Sequence, residues 1–406
     1  MKKNISNRLD LILAITISMF CLTTIIGSLK LLNLNFAILN FAFTIIPWIL
    51  IIFTNKFKFP KKFFIYFILI FSLKTLSLMH NSYGESKYDL LTNLYYYVSF
   101  FVSFFAIYFC YLPNFDNKIF LKKTCYVVII FTLIFCIYNL YINKGNFNYI
   151  SIANSSYDLK FASFFSNRNN FGKFLFLSIV LLLFSEKNNY IGKKFFALLF
   201  IFIIFNLLLT FSRTAIFCTM IFLIFNIPFD KLKNKKAFLF IPIIVIFLLL
   251  SINYINSNKA FVDKFYIREN SGFTGRDNIW RNALSIIKNN AILGVGEIKS
   301  QKLLNKLTSN SYYHNSFLKE FAMYGIFEGI ILILFMLFFV QKLFCTFSYN
   351  TEKKYIFGLF ISLILYSLFE EFIFFGTGYI NFMYSFYLFC FIPILTYTYK
   401  GGGKID

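Results

Sequence analysis

The chain has 406 residues, of which 59% are hydrophobic and only 14% are charged. Soluble domains contain about 45–50% apolar and about 25% charged residues, so this composition excludes an ordinary soluble protein. The net charge of +23 could indicate a nucleic-acid partner, but the lysines stand in short clusters between apolar segments, as in the cytoplasmic loops of membrane proteins. We therefore expect a multi-pass membrane protein that binds no nucleic acid.

Apolar segments of transmembrane length recur along the whole sequence. Each approaches the roughly 20 residues that cross about 30 Å of hydrocarbon. The first follows MKKNISNRLD with no small-residue cleavage site, which predicts an uncleaved helix rather than a signal peptide. The predicted helices lie near residues 10–29, 31–53, 63–79, 95–112, 125–142, 171–184, 195–211, 213–228, 237–255, 321–341, 355–374 and 380–398.

The connections between these helices alternate in charge. With both termini in the cytoplasm, every second connection is a basic cytoplasmic segment, for example 54–62 and 229–236. We therefore predict an all-α integral membrane protein with about 12 transmembrane helices. It divides into an N-terminal bundle of about nine helices (1–255), a large external loop with short amphipathic helices (256–320), and about three C-terminal helices with a short cytoplasmic tail (321–406).

The sequence carries no signature of a metal or cofactor site. Its seven cysteines lie in or beside apolar segments and form no CxxC pair, which is typical of small buried residues. A DxD-type acidic pair, a P-loop and the HExxH and GxSxG motifs are absent, which excludes a cytoplasmic nucleotide-sugar transferase and an NTPase. We expect no disulfide framework, no metal and no cofactor.

The motif FSRTA (211–215) places Arg213 in a turn between two apolar segments, on the outer side of the predicted topology. An arginine at the membrane boundary can simply extend its charge to the lipid headgroups. The alternative is an anion site, because the guanidinium is a rigid fork that matches phosphate oxygens and stays charged. A tight turn without a neighbouring lysine favours the anion site.

The stretch RDNIWRNALSIIKNN in the largest external loop predicts an amphipathic helix. Trp280, Ala283, Leu284 and Ile287 recur at i, i+3, i+4 and i+7 and form one apolar stripe. Thr274 is suited to cap the start of the helix. We expect this helix to lie on the outer membrane surface.

Arg276 falls in the first turn of that helix. A helix N-terminus presents free N–H groups and a partial positive charge, which attract anions. An arginine there adds to the same field and is unfavourable unless an anion binds, so Arg276 indicates a phosphate ligand. The alternative is an ordinary loop helix with a solvated Arg276. Arg281 faces elsewhere, which favours a structural role, and it stays a weaker substrate-binding candidate.

The stretch YYHNSFLKEFAMYG (312–325) holds one of only two histidines, where the long loop enters the next predicted helix. His314 would share a face with Leu318 and Phe321, near the membrane–water boundary. It is either a polar cap at the helix entrance or a general base for a hydroxyl nucleophile. Asn315 could orient a sugar or the histidine. The other histidine, His80, is expected to be a loop residue.

Three further charged residues lie beside apolar segments. Arg168, in SNRNNFG (166–172), either contacts a diphosphate or flanks a helix start. Glu370 and Glu371 fall near the outer end of the eleventh predicted helix, where carboxylates are costly and are usually functional or paired. They would neutralise the arginines, bind substrate or provide an alternative base.

Taken in order, these motifs resemble those of the bacterial O-antigen ligase/O-antigen polymerase superfamily. The resemblance runs through FSRTA (211–215), TGRDNIWRNALSIIKNNAILGVG (274–296) and YYHNSFLKEFAMYGIFEG (312–329), with SNRNNFG (166–172) as a weaker earlier block. Each motif alone is weak, whereas their order and spacing around the largest external loop are fairly specific.

The resemblance implies a GT-C-like glycosyltransferase in the bacterial inner (plasma) membrane, with its active site facing the periplasm or exterior. The implied chemistry is inverting and metal-independent, and the donor is a glycan on undecaprenyl diphosphate. Arg213 and Arg276 would bind the diphosphate as leaving group, and His314 would activate the acceptor hydroxyl. The implied partners are the lipid-linked oligosaccharide, the glycan acceptor, membrane lipids and a chain-length regulator protein.

Three activities stay open at this point. A polymerase joins one lipid-linked repeat unit to another, a ligase moves the glycan onto lipid A–core, and a flippase transports the lipid-linked sugar. The Phe/Ile/Asn/Lys-rich composition favours the polymerase. A flippase predicts charges along the bundle interior, whereas Arg213, Arg276 and His314 are expected at one membrane face, which favours an enzyme.

Overall fold

A computed structural model describes residues 61–81, 117–143, 276–347 and 351–371, most of 86–98 and 161–226, and a few residues between 18 and 26. The described part is helical and contains no β-strand. Its main helices are α1 (Lys61–Asn81), α2 (Asn117–Ile142), α3 (Arg168–Lys187), α4 (Lys193–Leu209), α5 (Arg213–Asn226), α6 (Arg276–Asn289), α7 (Glu297–Thr308), α8 (Ser316–Tyr324), α9 (Ile326–Phe347) and α10 (Thr351–Phe369).

The all-α expectation is confirmed for the described residues, but the count of twelve spans is not. Two helical stretches there, Cys125–Ile142 and Arg168–Lys187, are long and apolar enough to cross a membrane. The predicted helices that match the structure correspond to α1 to α5 and α10, within a few residues except at the start of α2. Those that lie wholly or mostly outside the described residues are 10–29, 31–53, 95–112, 237–255 and 380–398.

Helices α3, α5 and α10 share an aromatic core. The Phe176 ring of α3 lies 5.8 Å from the Tyr366 ring of α10 and 6.3 Å from the Phe222 ring of α5. Near its N-terminus, α3 also meets the turn that precedes α5: a Cβ added to Gly172 would lie only 2.8 Å from the Ser212 Cβ. Glycine at position 172 therefore permits this close approach of α3 to the FSRTA motif.

Helices α5 and α10 pack antiparallel. The end of α5 meets the start of α10, where the Phe225 and Phe357 rings lie 5.4 Å apart and the Phe225 side chain covers Gly358. From that contact, Arg213 and Glu370 each lie twelve residues along their chains, about 18 Å at roughly 1.5 Å per residue. Arg213 and Glu370 therefore lie at the same end of the helix pair.

The predicted helix 321–341 is wrong, because the structure contains two helices there. Helix α8 begins at Ser316 and ends at Tyr324, and α9 starts at Ile326. Gly325 separates them with a positive φ of 90°, a conformation that favours glycine. The predicted boundary between residues 320 and 321 falls inside α8, while the division of the chain into 1–255, 256–320 and 321–406 stays a prediction.

The end of α8 is tied to the segment that follows α6. The Val295 and Gly296 N–H groups donate to the Ala322 and Met323 carbonyls at 3.0 and 2.9 Å, and the Ile326 N–H donates to the Ala291 carbonyl at 2.8 Å. The two longest family-like motifs therefore form one structural unit.

The amphipathic helix predicted after Gly275 is present as α6, but its buried face differs from the predicted stripe. Ile279, Ala283, Ile286 and Ile287 are buried, whereas Leu284 is 55% exposed. The predicted cap, Thr274, lies outside the described residues. Because the helix turns about 100° per residue, a shift of one position moves the buried face. The four buried side chains pack against α7 and α8.

Candidate functional site

The carboxylate of Glu370 is the centre of the candidate site. Its Oε1 lies 2.8 Å from Nη2 of Arg276, and its Oε2 lies 3.3 Å from Nδ1 of His314. The Glu370 side chain is only 8% exposed, compared with 17% for Arg276 and 24% for His314. One buried anion thus holds two of the residues that the sequence singled out, and each of them retains some exposed surface.

Arg276 is the first residue of α6, as its position in the sequence suggested. An arginine at a helix N-terminus adds to the partial positive charge there and is favourable only with an anion beside it. The structure supplies that anion from within the chain, because Glu370 forms the ion pair. The contact uses one nitrogen of the guanidinium, and an arginine carries five N–H donors, so Arg276 has donors left for a second anion.

His314 precedes α8 and is not part of a helix, so the predicted helical face that His314 would share with Leu318 and Phe321 is wrong. Its φ of 50° is in the left-handed region, which is uncommon for residues other than glycine and often marks a functional position. The second ring nitrogen, Nε2, lies 3.5 Å from the Asn310 amide nitrogen. This long contact leaves the exposed edge of the ring available to a ligand.

Asn315 caps α8. Its Oδ1 accepts hydrogen bonds from the Phe317 and Leu318 N–H groups at 2.9 and 3.0 Å, as N-cap residues do. Its Nδ2 donates to the Leu368 carbonyl at 3.1 Å. Both ends of the side chain therefore serve the fold, and the expected role in sugar binding stays a prediction.

Glu371 is as buried as Glu370 but has different partners. Its Oε2 lies 2.6 Å from Nζ of Lys319, and its Oε1 accepts a hydrogen bond from the Tyr313 N–H at 2.7 Å. Lys173 of α3 donates to the Glu371 carbonyl at 3.2 Å. Sequence reasoning missed both lysines, although each is a charged residue within an apolar stretch that has to find a carboxylate.

The remaining predicted residues lie around this cluster or apart from it. Arg168 begins α3, and the next residue, Asn169, donates to Glu370 Oε1 at 3.4 Å. Arg213 begins α5 and is exposed. Arg281 is exposed on α6. His80, predicted to be a loop residue, instead lies in the last turn of α1 and is exposed, because that helix continues beyond residue 79.

The positive charges around Glu370 keep its carboxylate ionised. Burial alone would raise the pKa of Glu370, but the hydrogen bond from His314 and the positive charges of Lys173, His314 and Arg276 lower it to about 2. Glu370 is therefore ionised at neutral pH. Arg276 forms an ion pair with the Glu370 carboxylate and Lys319 with that of Glu371, while Lys173 donates to the Glu371 carbonyl.

The described residues form a helical protein, with two helices apolar and long enough to cross a membrane and a buried charged cluster at the helix ends around Glu370. The family model for O-antigen ligase matches residues 198–334. The match covers about a third of the chain and supports its resemblance to the O-antigen ligase/polymerase superfamily, whose members are membrane proteins and glycosyltransferase-like enzymes. No curated protein matches the chain. Arg213, Arg276 and His314 lie within the matched residues, whereas Glu370 and Glu371 lie beyond them.

Proposed function

We propose that the chain is a polysaccharide polymerase that transfers a glycan from undecaprenyl diphosphate to a second lipid-linked repeat unit at the outer face of the plasma membrane. The observation that carries the proposal is the shared carboxylate of Glu370, which places a fixed cation, Arg276, beside a basic ring, His314. Such a pair could hold the donor diphosphate at the arginine and the attacking hydroxyl at the histidine.

The donor diphosphate would lie against the arginines. The partly exposed Arg276 and the exposed Arg213, which lies at the same end of α5 and α10 as Glu370, suit a ligand with several negative oxygens. Charge grows on the diphosphate as its bond to the sugar breaks, and fixed guanidinium groups stabilise that charge without a metal. Arg213 and Arg276 would supply this stabilisation, with Arg168 near the start of the same site.

The acceptor hydroxyl would be activated by His314. An ionised carboxylate only accepts hydrogen bonds, so Glu370 requires the hydrogen of the neutral ring to be on Nδ1. The lone pair of Nε2 then lies 3.5 Å from the Asn310 amide nitrogen, and an acceptor hydroxyl that replaces this long contact can give its proton to Nε2. The hydroxyl oxygen forms a bond to the anomeric carbon, the bond to the diphosphate oxygen breaks, and the configuration inverts.

A ligase is the second candidate, because the matching family model is described as O-antigen ligase. Both reactions require the same diphosphate site and differ in the acceptor. Deletion of the gene separates them. Lipid A–core that carries a single repeat unit indicates a polymerase, and long polymer stranded on undecaprenyl diphosphate indicates a ligase. Single units that accumulate on the cytoplasmic side indicate a flippase.

The same strain tests the site by complementation. We expect His314→Ala, Arg276→Ala and Arg213→Ala each to leave the deletion phenotype unchanged while the protein still inserts in the membrane, as measured by immunoblot of membrane fractions. Lys288→Ala is the control, because Lys288 is exposed in the last turn of α6 and has no proposed role in the site, and it is expected to restore polymer. Polymer of normal length from all three site variants would contradict the proposed chemistry.

A further inference from the structure

A buried ion pair lies directly behind the candidate histidine. The Glu371 and Lys319 side chains are 6% and 4% exposed, and their charged atoms are 2.6 Å apart. A buried charge without its partner is strongly unfavourable, so each side chain fixes the position of the other. Lys319 belongs to α8, and Glu371 follows the end of α10. The pair therefore fixes α8 relative to the end of α10.

Glu371 also holds the residue before the histidine. Its second oxygen, Oε1, accepts a hydrogen bond from the Tyr313 N–H at 2.7 Å. The Tyr313 carbonyl accepts from the Trp280 indole at 3.1 Å, and the buried Tyr313 hydroxyl donates to the Ser300 carbonyl at 3.2 Å. The peptide units on both sides of Tyr313 are thereby fixed, and the second of them leads directly into His314.

This restraint matters because His314 is in a left-handed conformation, with φ of 50°. A residue other than glycine keeps such a conformation only where its surroundings impose it. On the other side, Ser316 donates to the Glu370 carbonyl at 3.1 Å. The backbone around His314 is thus tied to residues 370 and 371 both before and after the histidine.

We propose that Glu371 is a positioning residue for His314: it holds the Tyr313 N–H while Lys319 holds Glu371, and this sets the direction of the imidazole toward Glu370. The inference rests on the proposed function of His314 as base. The two neighbouring carboxylates, which the sequence did not distinguish, then have different roles. Glu370 contacts the imidazole itself, and Glu371 acts on it through the backbone of Tyr313.

A pair of nearly isosteric variants isolates the proposed contact. In a Lys319→Met background, Glu371→Gln keeps an oxygen that accepts from the Tyr313 N–H, and Glu371→Met removes it. Both doubles carry no charge at the pair, so neither leaves a buried ion unpaired. Any difference between them therefore reports the hydrogen bond to Tyr313 rather than the loss of the ion pair.

The imidazole is observed directly by NMR of the full-length protein in detergent, with carbon-13-labelled histidine and His80→Gln, so that His314 gives one signal. We expect the Glu371→Gln double to keep the wild-type signal, and the Glu371→Met double to shift and broaden it. Polymer yield in the deletion strain should be at least tenfold lower for the Met double than for the Gln double. Identical His314 signals in the two doubles would overturn the inference.

Two further variants keep the test decisive. Glu320→Gln removes a charge from another buried pair on α8, in which Glu320 binds Lys74 at 2.7 Å, and it should leave the His314 signal in place. Trp280→Phe removes the hydrogen bond to the Tyr313 carbonyl without changing any charge. It should move the His314 signal in the same direction as the Glu371→Met double. If that double folds poorly, a moved signal in Trp280→Phe tests the positioning independently. A moved signal with unchanged polymer yield would support the positioning and contradict the catalytic role of His314.

Discussion

Arg276 and His314 bind the two different oxygens of one carboxylate, that of Glu370, at 2.8 and 3.3 Å. The arginine comes from the start of an amphipathic helix and the histidine from the loop before α8, so the carboxylate after α10 joins three separate parts of the chain. Glu370 can therefore affect both proposed halves of the reaction, leaving-group stabilisation and activation of the hydroxyl.

Glu370→Gln should separate these effects from simple packing, because the amide keeps the size of the side chain. We expect polymer formation to fall by about 10²- to 10⁴-fold, the range that general acid–base groups contribute. Arg276 loses its counter-ion, and the amide no longer requires the hydrogen of the ring to be on Nδ1. The measurement is polymer yield per membrane-inserted protein in the deletion strain. Activity within threefold of wild type would contradict the central role of this carboxylate.

Arg213→Lys tests whether position 213 binds a diphosphate or only faces the headgroups. Lysine keeps the charge but loses the planar fork that binds two phosphate oxygens at once. We expect at least a tenfold loss of polymer from Arg213→Lys, measured on gels of the complemented strain. Lys288→Arg is the control, since it exchanges the same two side chains in reverse at an exposed position outside the site, and it should be tolerated. Equal, full activity of both variants would leave Arg213 as a surface charge.

The acid stability of the protein should depend on Glu370. Its pKa is lowered to about 2 in the folded protein, whereas a free glutamate titrates near 4.3. Its contribution to folding is therefore fully present above pH of about 4.5 and is lost as the pH falls toward about 2. Thermal unfolding in detergent at pH 7, 4.5 and 3 measures it. Wild type should lose more stability than Glu370→Gln between pH 4.5 and 3, and parallel curves would contradict the assignment.

The sequence predicted the residues of the site better than their partners. Arg276 at a helix start is visible from local pattern, because a run of amphipathic spacing follows it. Its pairing with Glu370 depends on how α10 ends beside α6, which no local pattern specifies. The buried lysines that contact Glu371, Lys173 and Lys319, were missed for the same reason. The break at Gly325 was missed because the apolar pattern continues across it, and only the approach of residues 291–296 requires the glycine.

The orientation of the chain is testable with reporter fusions. The predicted topology places residues 256–320 outside, so a phosphatase reporter fused after Ser300 should be active. A fusion after Asn234, within the basic segment 229–236, should be inactive because that segment is predicted to be cytoplasmic. A cytoplasmic signal after Ser300 would overturn the topology and with it the external active site.

Gly325→Ala should disrupt the unit formed by the two longest motifs. Gly325 has φ of 90°, and a Cβ there would collide with the Ile292 carbonyl. Alanine would thus be strained in conformation and would push residues 291–296 away from the end of α8, which breaks the hydrogen bonds from Val295 and Gly296. Since α8 follows directly from His314, we expect both a lower midpoint of thermal unfolding and loss of polymer.

Gly192→Ala provides the control for that substitution. Gly192 precedes α4 with a negative φ of −71°, and a Cβ there would meet nothing within 4 Å. An alanine whose backbone conformation is unstrained costs little or even stabilises by reducing the freedom of the unfolded chain. Fluorescence-detected size-exclusion chromatography after heating compares the two variants. A midpoint for Gly325→Ala equal to that of Gly192→Ala would mean that the collision at residue 325 is relieved without cost and that the contact between the two motifs does not limit stability.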